Sequence, residues 1–356
     1  MCKELWSARA WALVLAASPG LACAELDLTT TLTLNGVGAS ANVDQQFPGE
    51  KTEQYRQWLS TRGHLGPLAL QLTYANRQIQ EFDSEGDLVV EEFVLEKNTG
   101  DWDFSLGVKR LDWGVGYGFR PLSIFDRSDR LSLVSTINVG PAIASVSKFG
   151  ATDEWTLLCA AESENPYENE FRSDLRCAGR LFALVGDWDL QAVVSQRSDI
   201  GMTFGASFST VMGDSTEFHG SAHVQERKLA IPGLPGDGND GRSATQALLG
   251  VTYTTDENLA WIAEVWRDET VKTSIGEPED YVMVRLAYTD DKAEPSITAV
   301  HTPEDDGLAL TLGVKTSWSS GAELSLGLRE YAGPDDAFYT KLPDSRQFFA
   351  EFSVSF

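Results

Sequence analysis

From Glu25 to the last residue, apolar and polar side chains alternate with a period of two, and a 3.6-residue repeat is almost absent. In the last such segment Phe348, Ala350, Phe352, Val354 and Phe356 share one face, while Gln347, Phe349, Glu351, Ser353 and Ser355 share the other. Leu308, Leu310, Leu312 and Val314 oppose Thr311, Gly313, Lys315 and Ser317, and near the start Leu26, Leu28, Leu32 and Leu34 oppose Asp27, Thr29, Thr31 and Asn35. A soluble sandwich would alternate in the same way, so the spacing of the breaks has to separate the two. Tight breaks fall at 63–67, 98–101, 151–153, 186–189, 213–215, 256–258, 290–294 and 319–321. Between them lie mostly longer polar stretches, at 38–53, 80–87, 112–140, 163–170, 231–243, 268–280 and 334–345, with shorter ones near 197–201 and 303–307. Short turns on one side and long loops on the other predict an antiparallel up-and-down β-barrel of about 18 strands, 16 being the nearest alternative. An even number puts both ends of the wall on the short-turn side.

The N-terminus points to export. Lys3 and Arg9 precede an apolar run, Ala10 to Ala17, which Ser18-Pro19-Gly20 breaks before the small-residue site Ala22-Cys23-Ala24. Residues 1–24 are therefore expected to be a signal peptide cut before Glu25, and residues 25–356 a single barrel domain. A lipoprotein cut at Cys23 is disfavoured by Gly20, which stands where that motif usually carries Leu. Cys159 and Cys177 then remain, and an even pair in an oxidising destination predicts a disulfide across the tip of the hairpin that carries 163–170.

Of 356 residues, 53 are acidic and 28 basic, for a formal net charge of −25. Such a balance argues against a nucleic-acid partner, whose phosphates it would repel. Beyond the N-terminal segment no apolar run reaches the roughly 18 residues of a spanning helix, so a membrane role has to come from strands. The acidic residues concentrate in the loops and leave the strands near neutral, as a wall crossing hydrocarbon requires.

An exported chain of alternating strands that ends on Phe356, with Phe348 and Phe352 on the same face, resembles the Gram-negative outer-membrane β-barrels. The resemblance implies residence in the outer membrane and contact with its lipid and lipopolysaccharide. It also implies recognition of the C-terminal strand by the barrel-assembly machinery. The connection from Asp112 to Gly140 sits where porins carry a loop that folds into the lumen, and Trp113-Gly114-Val115-Gly116 is similar to W-G-x-G stretches of porin-like and polysaccharide-export barrels. No plug-like segment precedes the first strand, which is expected to set the chain apart from energised outer-membrane transporters.

Candidate chemistry is sparse. There is no P-loop, no H-E-x-x-H and no G-x-S-x-G. His219 and Ser221 have the two-apart spacing of outer-membrane phospholipases, but Phe218, Gly220, Ala222 and Val224 occupy the apolar face and turn the pair inward. His219 and His223, four apart on a strand, stand about 13 Å from each other, too far to share a metal ion alone. No enzyme activity, metal or cofactor is expected. The inward positions are expected to line a lumen with Arg176, Arg180, His219, His223, Glu264, Arg285, Lys315, Arg329 and Glu351. Within the long connection Arg120, Asp126, Arg127, Asp129 and Arg130 alternate in sign and sum to +1, although the other loops are acidic. That near-neutrality, with Leu122, Ile124 and Phe125 among the charges, predicts a segment folded inward as a pore constriction. The expected function is passive passage of small hydrophilic solutes or a glycan. The alternatives are a non-conducting barrel that assists assembly or export of a surface polymer and, third, a lipid hydrolase. The oligomeric state is not assigned.

Overall fold

The protein is described by a computed structural model covering residues 26–41, 54–79, 85–125, 131–165, 170–197, 201–229, 238–272, 278–290, 292–342 and 344–356. The expected signal peptide lies outside the described residues. Strands β1 (Leu26–Ala41), β2 (Gln54–Leu65), β3 (Leu68–Ile79), β4 (Glu85–Thr99), β5 (Trp102–Val108) and β6 (Ala142–Phe149) begin the wall. It continues through β7 (Asp153–Asn165), β8 (Glu170–Val185), β9 (Trp188–Arg197), β10 (Gly201–Met212), β11 (Thr216–Leu229), β12 (Gly238–Thr254) and β13 (Leu259–Asp268). A two-residue strand, β14 (Val271–Lys272), runs parallel to the end of β11 and is not part of the ring. β15 (Asp280–Tyr288), β16 (Glu294–Thr302), β17 (Gly307–Ser317), β18 (Ala322–Ala332) and β19 (Asp344–Ser355) complete it.

Each wall strand pairs antiparallel with its neighbour, β13 with β15, and β19 returns to β1 with Leu32 opposite Val354 and Gly36 opposite Ala350. Eighteen strands thus close into a barrel with no free edge, as the spacing of the breaks predicts. The tight breaks are short turns, several of two residues; Gly186-Asp187 joins β8 to β9 with Gly186 at φ +62°, a conformation glycine adopts without a Cβ clash. Phe356 exchanges backbone hydrogen bonds with Thr30 at 3.0 and 2.9 Å, which places both ends of the described wall on the short-turn side.

Burial is inverted relative to a water-soluble protein. Leu59, Leu88, Leu106, Phe204, Leu249 and Val284 point outward and are exposed, whereas Thr73, Ser105, Thr203, Ser207 and Thr298 point inward and are buried. Only a hydrocarbon solvent outside makes that arrangement favourable. At the short-turn end Trp102, Trp155, Trp188, Trp261, Trp318 and Phe356 form an exposed aromatic belt, the position at which amphipathic rings meet lipid headgroups.

Cys159 and Cys177 face each other directly across β7 and β8 and are joined by a disulfide. The bridge lies in the wall, on the same outward face as Leu157 and Leu175, and not at the hairpin tip. Mass-spectrometric thiol mapping of denatured protein should label neither sulfur before reduction and both after it. Replacing both by Ser should lower stability by about 3 kcal/mol, the chain-entropy value for a loop of this length.

One part of the inner wall is apolar as well. Ile143, Leu158, Ala160, Ala178 and Val193, contributed by β6–β9, are inward, buried and packed against Trp113, Leu122 and Phe125. The strands there are apolar on both faces because chain, and not water, covers their inner side.

Candidate functional site

The segment 109–141, between β5 and β6, enters the barrel. Its two ends are stapled together, with Lys109 N donating to Pro141 O at 3.1 Å and Gly140 N donating to the Glu91 carbonyl at 3.2 Å. Lys109 Nζ pairs with Glu96 at 2.6 Å, and Arg110 Nη2 donates to Gln71 Oε1 at 2.9 Å while its backbone N–H reaches Glu92 at 3.2 Å. Asp112 then organises the first turn by accepting from Gly114 N and the Ser123 hydroxyl and pairing with Arg120.

From there the segment is bonded to strands around the ring. On the β8–β9 side, Gln191 Nε2 donates to the Trp113 carbonyl at 2.5 Å and Arg176 Nη1 to the Ile124 carbonyl at 2.6 Å. Arg176 also lies over Phe125 and Arg180 over Trp113, while Trp113 and Phe125 meet edge to face at 5.3 Å. Across the lumen on β13, Glu264 accepts Tyr117 N at 2.5 Å and Gly118 N at 2.8 Å, and His219 Nε2 lies 3.0 Å away. On β11, His223 Nδ1 donates to the Pro121 carbonyl at 2.5 Å. Further along, Arg329 Nη2 holds the Leu131 carbonyl at 2.5 Å, and Glu351 accepts both the amide and the hydroxyl of Ser135 at 2.7 and 2.6 Å. Asn138 N closes the circuit on Glu91 at 3.4 Å.

The alternating glycines have a local cause. Gly116 has φ +114°, and a Cβ on Gly118 would come within 2.8 Å of the Met283 sulfur and 3.3 Å of Glu264 Oε2. Glycine is what lets this backbone come close enough for two amides to share one buried carboxylate. Phe119, carried just beyond, stacks on Trp266, which in turn stacks on Tyr281.

The expected lumen residues therefore divide into two sets. Arg176, Arg180, His219, His223, Glu264, Arg329 and Glu351 all face inward and hold the segment or its neighbours. Arg285 and Lys315 lie on the opposite stretch of wall, paired with Glu294 at 3.6 Å and Glu323 at 3.0 Å. Of the expected constriction charges, Arg120 points back into its own segment, with Nε donating to Gly116 O at 2.7 Å; it does not stand across the lumen. Asp126, Arg127, Asp129 and Arg130 lie outside the described residues. Glu91, Gln191 and the buried Glu162–Arg197 pair at 2.8 Å were not anticipated. The inward direction of Gln191 is legible in its alternation with Leu190 and Ala192; that of Glu91 is not, because a register shift beside it places Glu91 and Glu92 both inward.

A cavity of about 230 Å³ remains between the segment and the β15–β19 wall. Leu131 and Ser132 line it from the segment, and Arg285, Glu294, Thr298, Lys315 and Arg329 from the wall. At the long-loop end, residues 334–342 fold over the rim, with Ala337 fully buried and Tyr339 stacked on Tyr331 at 5.6 Å. Burial favours the protonated form of Asp305. Hydrogen bonds from the Thr302 hydroxyl and from the Phe338 and Gly307 amides, with Lys341 nearby, outweigh burial and hold its carboxyl below the ordinary range. Its contribution to docking this loop is thus present above the ordinary carboxylate range and lost as pH falls through the depressed pKa. Hydrogen exchange at the Phe338 amide should be slow near neutrality and lose protection on acidification. Asp305→Asn should remove that pH dependence.

No protein-family model matches the chain, and no curated sequence does. Solved structures do match. The chain superposes on OccAB1 of Acinetobacter baumannii with a TM-score of 0.63 at 9% identity, over 93% of this chain and 96% of that one. The fold is that of an outer-membrane porin. OpdQ of Pseudomonas aeruginosa gives a TM-score of 0.66 at 6% identity, covering 94% and 99% of the two chains. A BenF-like porin from Pseudomonas fluorescens Pf-5 gives 0.63 at 8%, covering 93% and 98%. At such identities the likeness establishes the porin fold and leaves the solute open.

Proposed function

We propose that the chain is a passive channel of a Gram-negative outer membrane, admitting small hydrophilic solutes or a glycan through the space beside the inward segment. The observation that carries this reading is the set of charged side chains in the cavity on the β15–β19 side, Arg285, Lys315 and Arg329 with Glu294 in partial compensation. Fixed charges of both signs along a water-accessible wall are the usual means by which a pore sorts solutes. The short-turn end then faces the periplasm and the acidic long loops face outward, where divalent cations can bridge them to lipopolysaccharide phosphates. Residues 1–24 act as the cleaved signal peptide, and β19 as the signal for the barrel-assembly machinery.

Step conductance in planar bilayers, measured with a panel of solutes, tests the channel. A folded barrel that never conducts would favour the reading in which it assists export of a surface polymer. That reading draws support from the number of bonds clamping the inward segment. A lipid hydrolase is disfavoured, because His219 and Ser221 are buried inside the wall, away from the lipid face. Changing Phe352 and Phe356 to Ser should remove heat-modifiable barrel from the outer membrane, since both side chains are exposed on the lipid face beside the closing seam.

A further inference from the structure

The outward face of β5–β10 carries a groove. Gly179 sits between Leu157 on β7 and Val194 on β9, which are its partners in register, and all three face outward. A Cβ on Gly179 would meet only the tips of those two side chains, at 3.3 and 3.6 Å. Two depressions of about 690 and 590 Å³ adjoin along this line and share Val146, Leu157, Gly179 and Val194. One runs toward the disulfide and Ala144, the other toward the aromatic belt.

The belt end is charged. Lys148, outward and exposed, lies opposite Trp155 and has its ammonium 5.6 Å from the ring of Trp102. Its ammonium has no carboxylate partner among the described residues. A lysine at the level of the headgroups, flanked by two indoles, offers a cation to a phosphate whose apolar tail must lie along the wall. From Trp155 to Cys159 β7 runs four residues, roughly 13 Å along the strand, which at the roughly 40° tilt of barrel strands crosses about 10 Å of the ~15 Å of a single leaflet's hydrocarbon. The groove therefore accommodates roughly the headgroup-side two-thirds of one acyl chain and carries its charge at the headgroup end.

We propose that this groove is a binding site for one glycerophospholipid of the leaflet on the short-turn side. Its phosphate is held by Lys148 between Trp102 and Trp155, and an acyl chain lies over Gly179 toward the Cys159–Cys177 bridge. The inference rests on the reading of the chain as a membrane barrel.

The full mature chain, refolded and inserted into vesicles of phosphatidylethanolamine and phosphatidylglycerol, is extracted in mild detergent and weighed by native mass spectrometry. One retained phospholipid per barrel is expected. Gly179→Leu, which fills the groove from a position clear of backbone, should abolish the adduct, and Lys148→Glu should reduce it about five-fold or more. Heat-modifiable mobility establishes that each variant is folded. Retention unchanged in both folded variants would overturn the proposal, as would an adduct formed equally with inorganic phosphate or free fatty acid. A dimer mass dispersed by Gly179→Leu would assign the groove to a second copy and overturn it as well. Failure of the wild type to insert would sink the barrel reading itself, whereas a conducting barrel that retains no lipid would sink only this inference.

Discussion

Deleting residues 121–136 is expected to raise single-channel conductance by roughly two-fold or more and to change ion preference, with the barrel still folded. The deletion removes Leu122, Phe125, Leu131 and Ser135, and with them the bonds to Arg176, His223, Arg329 and Glu351. What is left of the segment keeps its anchors at Lys109 and Gly140 and its bonds to Gln191 and Glu264, so the space opens where residues 121–136 stood, beside β15–β19 and the inner faces of β6–β9. Every wall strand pairs through its own backbone ladder, so closure does not depend on the lumen's contents. The inner faces of β6–β9 would pay one cost, since Ile143, Leu158 and Val193 would meet water. Lower thermal stability should therefore accompany the larger pore. Unchanged conductance through a folded barrel would mean that solutes never pass beside this segment.

Much of this architecture is legible in the sequence because the barrel has two solvents. Lipid outside and polar contents inside impose opposite demands on successive side chains, so Phe348 and Phe352 alternate with Gln347 and Glu351, as their outward and inward faces require. The turns are legible for a different reason: a two-residue reversal needs a residue such as Gly186 that tolerates positive φ. Alternation fails where the inner solvent is protein. Leu157-Leu158 on β7 and Val193-Val194 on β9 are apolar on both faces, and nothing within either strand announces that Trp113 and Phe125 will cover the inner one. It fails again at the bulge beside Glu91, where one extra residue turns two consecutive carboxylates inward. The mixed composition around Leu122 and Phe125 signalled an inward fold, but the direction of a single side chain did not follow from it. Arg120 looked like a constriction charge and instead braces Asp112 and the Gly116 carbonyl. Which strand would receive each bond from a 33-residue connection is a long-range outcome that spacing along the chain cannot encode.

Glu264 should be the residue whose loss most loosens the constriction. It is almost fully buried, and its two oxygens take the amides of Tyr117 and Gly118 while His219 approaches from the neighbouring side of the lumen. Glu264→Ala would leave two amide donors without an acceptor in a site that a water must then enter or the segment must leave. An unsatisfied buried donor costs about 1–3 kcal/mol, so the local penalty is several times RT and enough to populate an undocked segment. Glu264→Gln keeps one oxygen acceptor of nearly the same shape and should fall between the two. The readouts are open-channel current noise and hydrogen exchange at the Tyr117 and Gly118 amides. Both should rise strongly in Glu264→Ala and modestly in Glu264→Gln, while the backbone ladder of β13 with β12 and β15 keeps its protection. Because these amides are held by a charge-assisted bond inside the barrel and not at its mouth, added salt should weaken the docking little in the wild type. Amides that exchange as slowly in Glu264→Ala as in the wild type, with quiet current, would show that the apolar packing of Trp113, Leu122 and Phe125 holds the segment without this carboxylate.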